Sequence, residues 1–324
     1  MKNYLLSTAL MALLFSAGNA ISQTNKFTAA NPFFSASKLP YQAPPFDQIK
    51  NSDYQPALEE GIQQKLKEIE LIANNPAAPT FANTIVAMEK SGQLLTRVNS
   101  VFSAVSGANT NPELQKLQEA IAPKIAAKDD AIYLNSKLFK RVETIYKKRA
   151  ELHLDAESKR LVEYYYQQFQ IAGAKLSDAD KVTLKKLNEE QALLGAKFTN
   201  QLLAATKDGA LVVNDAAELQ GLSKADLDAF AQNAKNKNLT GKWVLPLKNT
   251  TQQPALQSLA LHSTRQKLFE ASRNRAERND SNDTRAIIVR IATIRAQKAQ
   301  LLGFPSFAAW KLQDQMAQTP EAVE

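Results

Sequence analysis

The segment YQPALEEGIQQKLKEIELIANNP, residues 54–76, carries the pattern that decides the fold. Its apolar side chains recur every three or four residues: Leu58, Ile62, Leu66, Ile69 and Ile72. This spacing places them on one face of an α-helix, and Asn74-Asn75-Pro76 ends the helix because proline disfavours helical backbone before it. A helix with one apolar face needs other elements to cover that face.

Stripes with the same spacing follow and predict further helices. They are Leu94, Val98, Val101 and Val105; then Leu114, Leu117, Ile121 and Ile125; then Leu138, Val142 and Ile145; then Leu161, Val162, Tyr165 and Phe169. Ser177, with Asp180 three residues on, marks the start of a long helix that Gly209 ends.

The last third also reads as helical. We expect Pro254 to begin one helix and Asn282 or Asp283 to cap the next, which Gly303 terminates. Ile287, Ile291, Ile294 and Leu301 line the face of that second helix.

Two short segments predict strands, Ala210–Val213 and Trp243–Leu247. They could pair as a ribbon across a helix between Ser223 and Lys237, with Pro246 confining the second strand to an edge. The chain has only ten glycines in 324 residues, which also favours helices. The predicted fold is therefore mainly α, with at most one small β-ribbon.

The first residues resemble an export signal. Lys2 precedes an apolar run from Tyr4 to Ala17, and Gly18-Asn19-Ala20 supplies small residues for cleavage, with Ala20-Ile21-Ser22 as a second possibility. A membrane anchor is the alternative, although the run is short for a span of about 20 residues. We expect residues 1–20 to be a cleaved signal peptide. The protein is then periplasmic or otherwise exported, and we expect no stable membrane association after cleavage.

Residues 21–53 form a proline-punctuated arm before the helical region at 54–324. Because prolines fix an extended backbone, we expect an extended arm whose aromatic side chains dock on the core. These aromatic residues are Phe33, Phe34, Tyr41 and Phe46.

Composition excludes several classes of function. The chain has no cysteine, which removes disulfides, thiolate metal sites, thiol nucleophiles and a lipoprotein anchor. Its net charge of +8 is not segregated, because basic and acidic residues alternate along each helix. No basic run is interleaved with aromatics, so we expect no nucleic-acid partner.

No residue here forms a recognisable reaction centre. His153 and His262 are more than a hundred residues apart and fit no zinc-ligand spacing, so surface or core-edge positions are favoured for both. The acidic pairs Glu59-Glu60, Asp129-Asp130 and Glu189-Glu190 read as solvated helix faces, because adjacent helical residues point about 100° apart. Asp280-Ser281-Asn282-Asp283 reads as a helix cap because it lacks the glycine and distal glutamate of a calcium loop. The sequence predicts no catalytic or metal residue and identifies no substrate-binding one.

The final residues, Thr319-Pro320-Glu321-Ala322-Val323-Glu324, carry the start signals of a helix that does not continue. One turn cannot sustain itself. The expectation is that these 324 residues are the front part of a longer protein.

Several segments, in the same order along the chain, resemble one known family. They are Asn31–Phe33, Leu39–Ile49, Ser91–Val98, Ala172–Leu176, Leu211–Asp215, Asn249–Pro254, Asn279–Arg285, Leu301–Phe304 and Gln315–Ala317. The segments resemble the Dcp-type bacterial peptidyl-dipeptidases, within the thimet oligopeptidase and neurolysin family of zinc metallopeptidases. The similarity covers the N-terminal portion of that family only.

The resemblance implies a two-lobed, channel-containing helical metallopeptidase that releases C-terminal dipeptides from short peptides. Its zinc is held by two histidines of an H-E-x-x-H helix and a downstream glutamate, and the motif's own glutamate activates the bound water. This chain contains no such motif. We therefore expect zinc and catalysis only in the full-length protein. The present 324 residues are expected to be an inactive fragment that is truncated before the catalytic zinc domain. We also expect a monomer.

The alternative is a non-enzymatic helical module, a binding or chaperone-like protein derived from the same fold. Sequence that continues into an H-E-x-x-H helix beyond Glu324 would favour the enzyme.

Overall fold

The computed structural model describes residues 26–324. The predicted signal peptide, residues 1–20, lies outside the described residues. The helices run as follows: α1 Asn51–Ala73, α2 Ala87–Lys90 after a π-helical turn at Phe81–Val86, α3 Gln93–Ala108, α4 Pro112–Tyr133, α5 Ser136–Lys147, α6 Ala156–Ala172, α7 Asp178–Asp208, α8 Lys224–Asn236, α9 Asn249–Ser258, α10 His262–Arg273, α11 Arg285–Leu301 and α12 Phe307–Lys311. Strands β1 Leu211–Val213 and β2 Trp243–Leu245 form the sheet. The mainly α fold is confirmed.

A first core joins α1, α3 and α4. The stripe of α1 predicted from sequence meets those of α3 and α4, and the three bury Leu58, Val98 and Leu114 completely. The helix ends at Ala73, directly before Asn74-Asn75-Pro76, as predicted.

Part of the N-terminal arm is attached to this core. The Asn31 side chain donates to the Asp53 carbonyl and accepts from the Phe33 amide, and Arg97 donates to the Phe33 carbonyl. These bonds turn Phe33 inward, where it is 2% exposed and contacts Tyr54.

The prediction that the arm's aromatics dock on the core holds for Phe33 and is wrong for three others. Phe34, Tyr41 and Phe46 are exposed because the backbone between them folds into turns and a short 3-10 helix at Pro40–Gln42.

A second core lies between α5, α6 and the π-helical turn. Leu138, Val142 and Phe169 are fully buried there. The guanidinium of the buried Arg141 donates to the carbonyls of Asn75 and Ala77 and so holds the loop after α1 against α5.

A third core surrounds the ribbon. Leu211 pairs with Leu245 and Val213 with Trp243 in antiparallel register, and α8 connects the two strands, so the predicted ribbon is present. Leu219, Leu245 and Leu268 are buried beside it. The long helix α7 leads into this unit and packs against both α4 and α11.

The C-terminal third departs from prediction at two helix starts, those of α9 and α11. Helix α9 begins at Asn249 instead of Pro254, because the amides of Thr251 and Gln252 both donate to the Lys248 carbonyl and start the helix earlier. Pro254 lies inside α9, where it removes one backbone hydrogen bond.

The cap predicted at Asn282 or Asp283 is also wrong in position, because the N-cap residue of α11 is Thr284, which makes no side-chain cap bond. Asp283 accepts from the Arg285 amide at the start of α11, and Gly303 follows that helix with a φ of 81°. Thr319 Oγ1 accepts from the Ala322 amide, which is the pattern of an N-cap bond, although residues 321–323 form a turn and not a helix. None of the helices within residues 26–324 combines the length and apolar character needed to cross a membrane.

Candidate functional site

Helices α4, α6, α7, α11 and α12 line a half-open cavity of about 350 Å³. It is the most chemically distinctive cavity in the described part of the chain, because it joins buried charges of both signs. The residues that line it are Ala126, Asp129, Asp130, Tyr133, Gln168, Ile171, Ala172, Leu184, Asn188, Gln191, Lys298, Trp310 and Lys311.

Asp130 supplies the acidic group. It lies near the end of α4, is 7% exposed, and accepts a hydrogen bond at Oδ1 from Asn188 Nδ2 at 2.6 Å. Its Oδ2 atom is buried and has no hydrogen-bond partner among the described residues. Burial raises the pKa of Asp130 to about 6, although the Asn188 bond and the nearby Lys298 oppose the shift.

Lys298 supplies the basic group. It lies on α11, is also 7% exposed, and its Nζ donates to Gln191 Oε1 at 3.0 Å. The same Nζ lies 5.2 Å from the centre of the Trp310 ring, within cation–π range. Burial lowers the pKa of Lys298 to about 8, and the positive charge of Lys311 acts in the same direction.

The two charges do not neutralise each other directly. No nitrogen–oxygen distance of 4.0 Å or less joins Lys298 to Asp130, in contrast to the ion pairs elsewhere in residues 26–324. Their neutral partners, Asn188 and Gln191, are three residues apart on α7 and therefore share a face. Two neutral side chains of α7 thus bind the two charged groups separately: Asn188 binds Asp130, and Gln191 binds Lys298.

Aromatic side chains form part of the wall. Trp310 is 6% exposed, and its indole nitrogen donates to the Ile171 carbonyl at 2.9 Å, which fixes the ring. Burial raises the pKa of Tyr133 to about 12, so its hydroxyl stays protonated at neutral pH. The site offers one acceptor and one donor of opposite charge beside an apolar surface.

The prediction that Asp129-Asp130 is a solvated pair is wrong for Asp130. Asp129 remains at the surface and bonds to Lys128, but Asp130 shares a face with Ala126 and Tyr133 and turns inward with them. Lys298 was missed as well. Its signal is present in the sequence, since it stands between Ile294 and Leu301 in the apolar stripe of α11.

The other acidic pairs behave as surface groups. Glu59 pairs with Lys124, and Glu190 accepts two hydrogen bonds of 2.6 Å from Arg290, while Glu60 is partly exposed. Asp283 lies at the start of α11 and accepts from Arg285.

The two histidines lie at separate exposed positions. His153 is in the connection between α5 and α6 with a φ of 49°, and His262 is the first residue of α10. Within residues 26–324 no three His, Cys, Asp or Glu side chains are grouped as a metal site would require. The described residues therefore do not fit a zinc centre, and no zinc ligand is assigned to them.

The fold and this cavity define a helical scaffold with a small polar site and without an assigned zinc centre. Comparison with known proteins identifies the class further: residues 255–324 match the family described as Peptidase family M3.

The chain is 56% identical to the dipeptidyl carboxypeptidase of Escherichia coli (strain K12) over 296 residues, which are 91% of this chain and 44% of that protein. It is 52% identical to the dipeptidyl carboxypeptidase of Salmonella typhimurium over 295 residues, 91% of this chain and 43% of that protein. An organellar oligopeptidase A of Arabidopsis thaliana is 27% identical over 290 residues, 88% of this chain and 36% of that protein. The chain is thus similar to members of peptidase family M3 and spans less than half the length of these relatives.

Proposed function

We propose that this chain is the N-terminal part of an exported zinc metallopeptidase that releases C-terminal dipeptides from short peptides. The observation that carries the proposal is the 56% identity to a dipeptidyl carboxypeptidase over 91% of the chain. Identity at this level, continuous over nearly three hundred residues, accompanies the same fold and favours the same reaction class.

We place the catalytic residues in sequence outside this chain, because the chain contains no H-E-x-x-H motif. The chain aligns with 44% of the E. coli relative. Zinc, when bound, would polarise the scissile carbonyl and activate a water. The residues of this chain would instead form part of one wall of the channel that admits short unstructured peptides.

Export and assembly are further parts of the proposal. The charged and apolar pattern of residues 1–20 supports a cleaved signal peptide and a periplasmic location. The partners are short peptides, with no nucleic acid and no stable membrane association, and the protein is a monomer. Cleavage after Ala20 predicts a mature protein that begins at Ile21, which N-terminal sequencing of the periplasmic fraction would test.

Dipeptide release is the direct test of the activity. The whole natural polypeptide is incubated with short peptides of defined sequence, and the products are identified by mass spectrometry. We expect loss of two residues at a time from the C-terminus, inhibition by a zinc chelator and recovery when zinc is restored.

Residues 21–324 alone provide the matched comparison and should release no dipeptide. Chelator-sensitive release by this piece would contradict the assignment of catalysis to the remaining sequence. A whole polypeptide that binds unstructured peptides without cleaving them would instead support a non-enzymatic binding module.

A further inference from the structure

The cavity between α4, α7 and α11 contains two buried charged groups with unused hydrogen-bonding capacity. Asp130 Oδ2 is buried and accepts no hydrogen bond from the described residues. Lys298 Nζ carries three donor hydrogens and has one hydrogen-bond partner among those residues, Gln191. A buried polar atom without a partner is costly, so Asp130 Oδ2 requires one, while Lys298 Nζ has donor hydrogens left for a further acceptor.

We propose that this cavity binds a small apolar zwitterion, a free amino acid or a dipeptide. The ligand's ammonium group donates to the Asp130 carboxylate, and its carboxylate accepts from Lys298 Nζ. This inference concerns binding by residues of this chain and does not depend on the proposed peptidase activity.

The charges around the cavity favour a ligand that carries both signs. Asp130 has the acidic Asp129 and the basic Lys185 as charged neighbours. Lys298 has the basic neighbours Lys311 and Arg295. A simple anion would meet the Asp130 carboxylate, and a simple cation would meet Lys298. A zwitterion satisfies both ends without leaving one buried charge unpaired.

The walls and the size fit a side chain of moderate length. Trp310 and Tyr133 contribute aromatic surface, and Ala126, Ile171 and Leu184 contribute aliphatic surface. The volume of about 350 Å³ is at the lower end of the range of about 300–1,000 Å³ for small-molecule pockets. The cavity therefore suits a ligand such as leucine or a dipeptide that ends in leucine.

The test is calorimetric titration of the whole natural polypeptide with L-leucine, alanyl-leucine, leucinamide and N-acetyl-leucine. Leucinamide lacks the carboxylate and N-acetyl-leucine lacks the ammonium group. We expect saturable binding of leucine or alanyl-leucine, with affinity at least about tenfold higher than that of the singly charged analogues. The tighter of the two zwitterions identifies the source as an amino acid or a dipeptide.

Variants locate the binding. Lys298→Met and Asp130→Asn should each reduce the affinity for the zwitterion by at least about tenfold. The matched controls, Lys224→Met and Asp228→Asn, remove the same charges from an exposed ion pair on α8 and should leave binding unchanged. Circular dichroism checks that the cavity variants remain folded, and the comparison of analogues on the unaltered protein does not depend on them.

Three results would overturn the proposal. One is the absence of saturable zwitterion binding at about 10 mM ligand, which would leave water as the partner of both charges. Another is equal binding of the zwitterions and the singly charged analogues. The third is undiminished binding in both cavity variants, which would place the ligand elsewhere.

Discussion

Asp130 differs from the other carboxylates of this chain because it is charged at neutral pH in a site that water scarcely reaches. It is 7% exposed, and Asn188 is its hydrogen-bond donor among the described residues. Since its pKa of about 6 exceeds the value near 3.9 expected in the unfolded chain, the folded state binds the proton more tightly. Its contribution to stability is therefore fully present below pH 4 and is lost as the pH rises through 6.

Asp130→Asn removes this titration. We expect the free energy of unfolding of the variant, relative to the unaltered protein, to increase by about 1–3 kcal/mol between pH 4 and pH 7. Lys298 stays mostly charged over this range because its pKa is about 8. Urea unfolding curves at several pH values measure the difference.

Asp228→Asn is the control, because Asp228 pairs with Lys224 at the surface of α8. The difference in free energy of unfolding between Asp228→Asn and the unaltered protein should vary little with pH. A pH-independent difference for Asp130→Asn would show that Asp130 does not titrate near pH 6.

The sequence pattern indicated that Lys298 is buried, and it indicated the burial of Asp130 more weakly. A lysine between Ile294 and Leu301 in an apolar stripe is a buried-charge candidate by periodicity alone. The partners of both residues were not predictable, because Asn188 and Gln191 reach them only through the packing of α7 on α4 and α11. The absence of a zinc motif here remains a statement about sequence, and the assignment of catalysis to other residues stays a prediction.

At the scale of elements, α1 and α3 are in close backbone contact at Gly61, which has no side chain. A Cβ atom at Gly61 would lie 2.8 Å from Leu95 Cα and 2.9 Å from Leu95 N. These are backbone atoms, which cannot move away without shifting α3. Helix α7 provides the contrast, since no atom of the described residues lies within 4 Å of a Cβ at Gly195, apart from the local backbone of α7.

Alanine at the two positions should have opposite effects. Gly61→Ala gains helix propensity but forces the helices apart, so we expect the free energy of unfolding to fall by about 1–3 kcal/mol. Gly195→Ala should raise the free energy of unfolding by about 0.5–1 kcal/mol, because alanine restricts the unfolded chain and favours the helix without a clash. Thermal unfolding of both variants measures the effects, and destabilisation by both would contradict the packing argument.

Element types were predictable where periodicity and caps agreed. The α1 stripe, the Ser177 start of α7 and the β-ribbon all appear in the structure. The start of α9 was not predictable, because the Lys248 carbonyl begins the helix without any cap side chain. The inward turn of Phe33 also depends on distant partners, Asp53 and Arg97.

At the scale of the molecule, the described residues form three hydrophobic cores, of which the first two both contact Leu66 of α1. The core around β1 and β2 is formed by residues between Val213 and Leu268, whereas the core of α1, α3 and α4 uses residues before Ile125. Cores with few shared side chains can open at different free energies.

Leu268→Ala and Leu58→Ala test this independence, since both leucines are fully buried. Each should cost about 2–5 kcal/mol. Amide hydrogen exchange measured by mass spectrometry should accelerate around β1, β2 and α8 in Leu268→Ala, and in α1 and α3 in Leu58→Ala. Uniform acceleration across residues 26–324 in either variant would show a single cooperative unit instead.

Helix α7 connects the cavity to the ribbon core by one uninterrupted backbone. Asn188 and Gln191 contact the cavity charges, and Asn200 further along donates to Glu119 on α4. Deleting one residue between Gln191 and Asn200 would rotate one end by about 100° relative to the other and separate one set of partners. Inserting seven residues would restore the angle to within about 20° but lengthen the helix by about 10 Å. The interval between these two contacts therefore tolerates substitution, as at Gly195, but not a change in length.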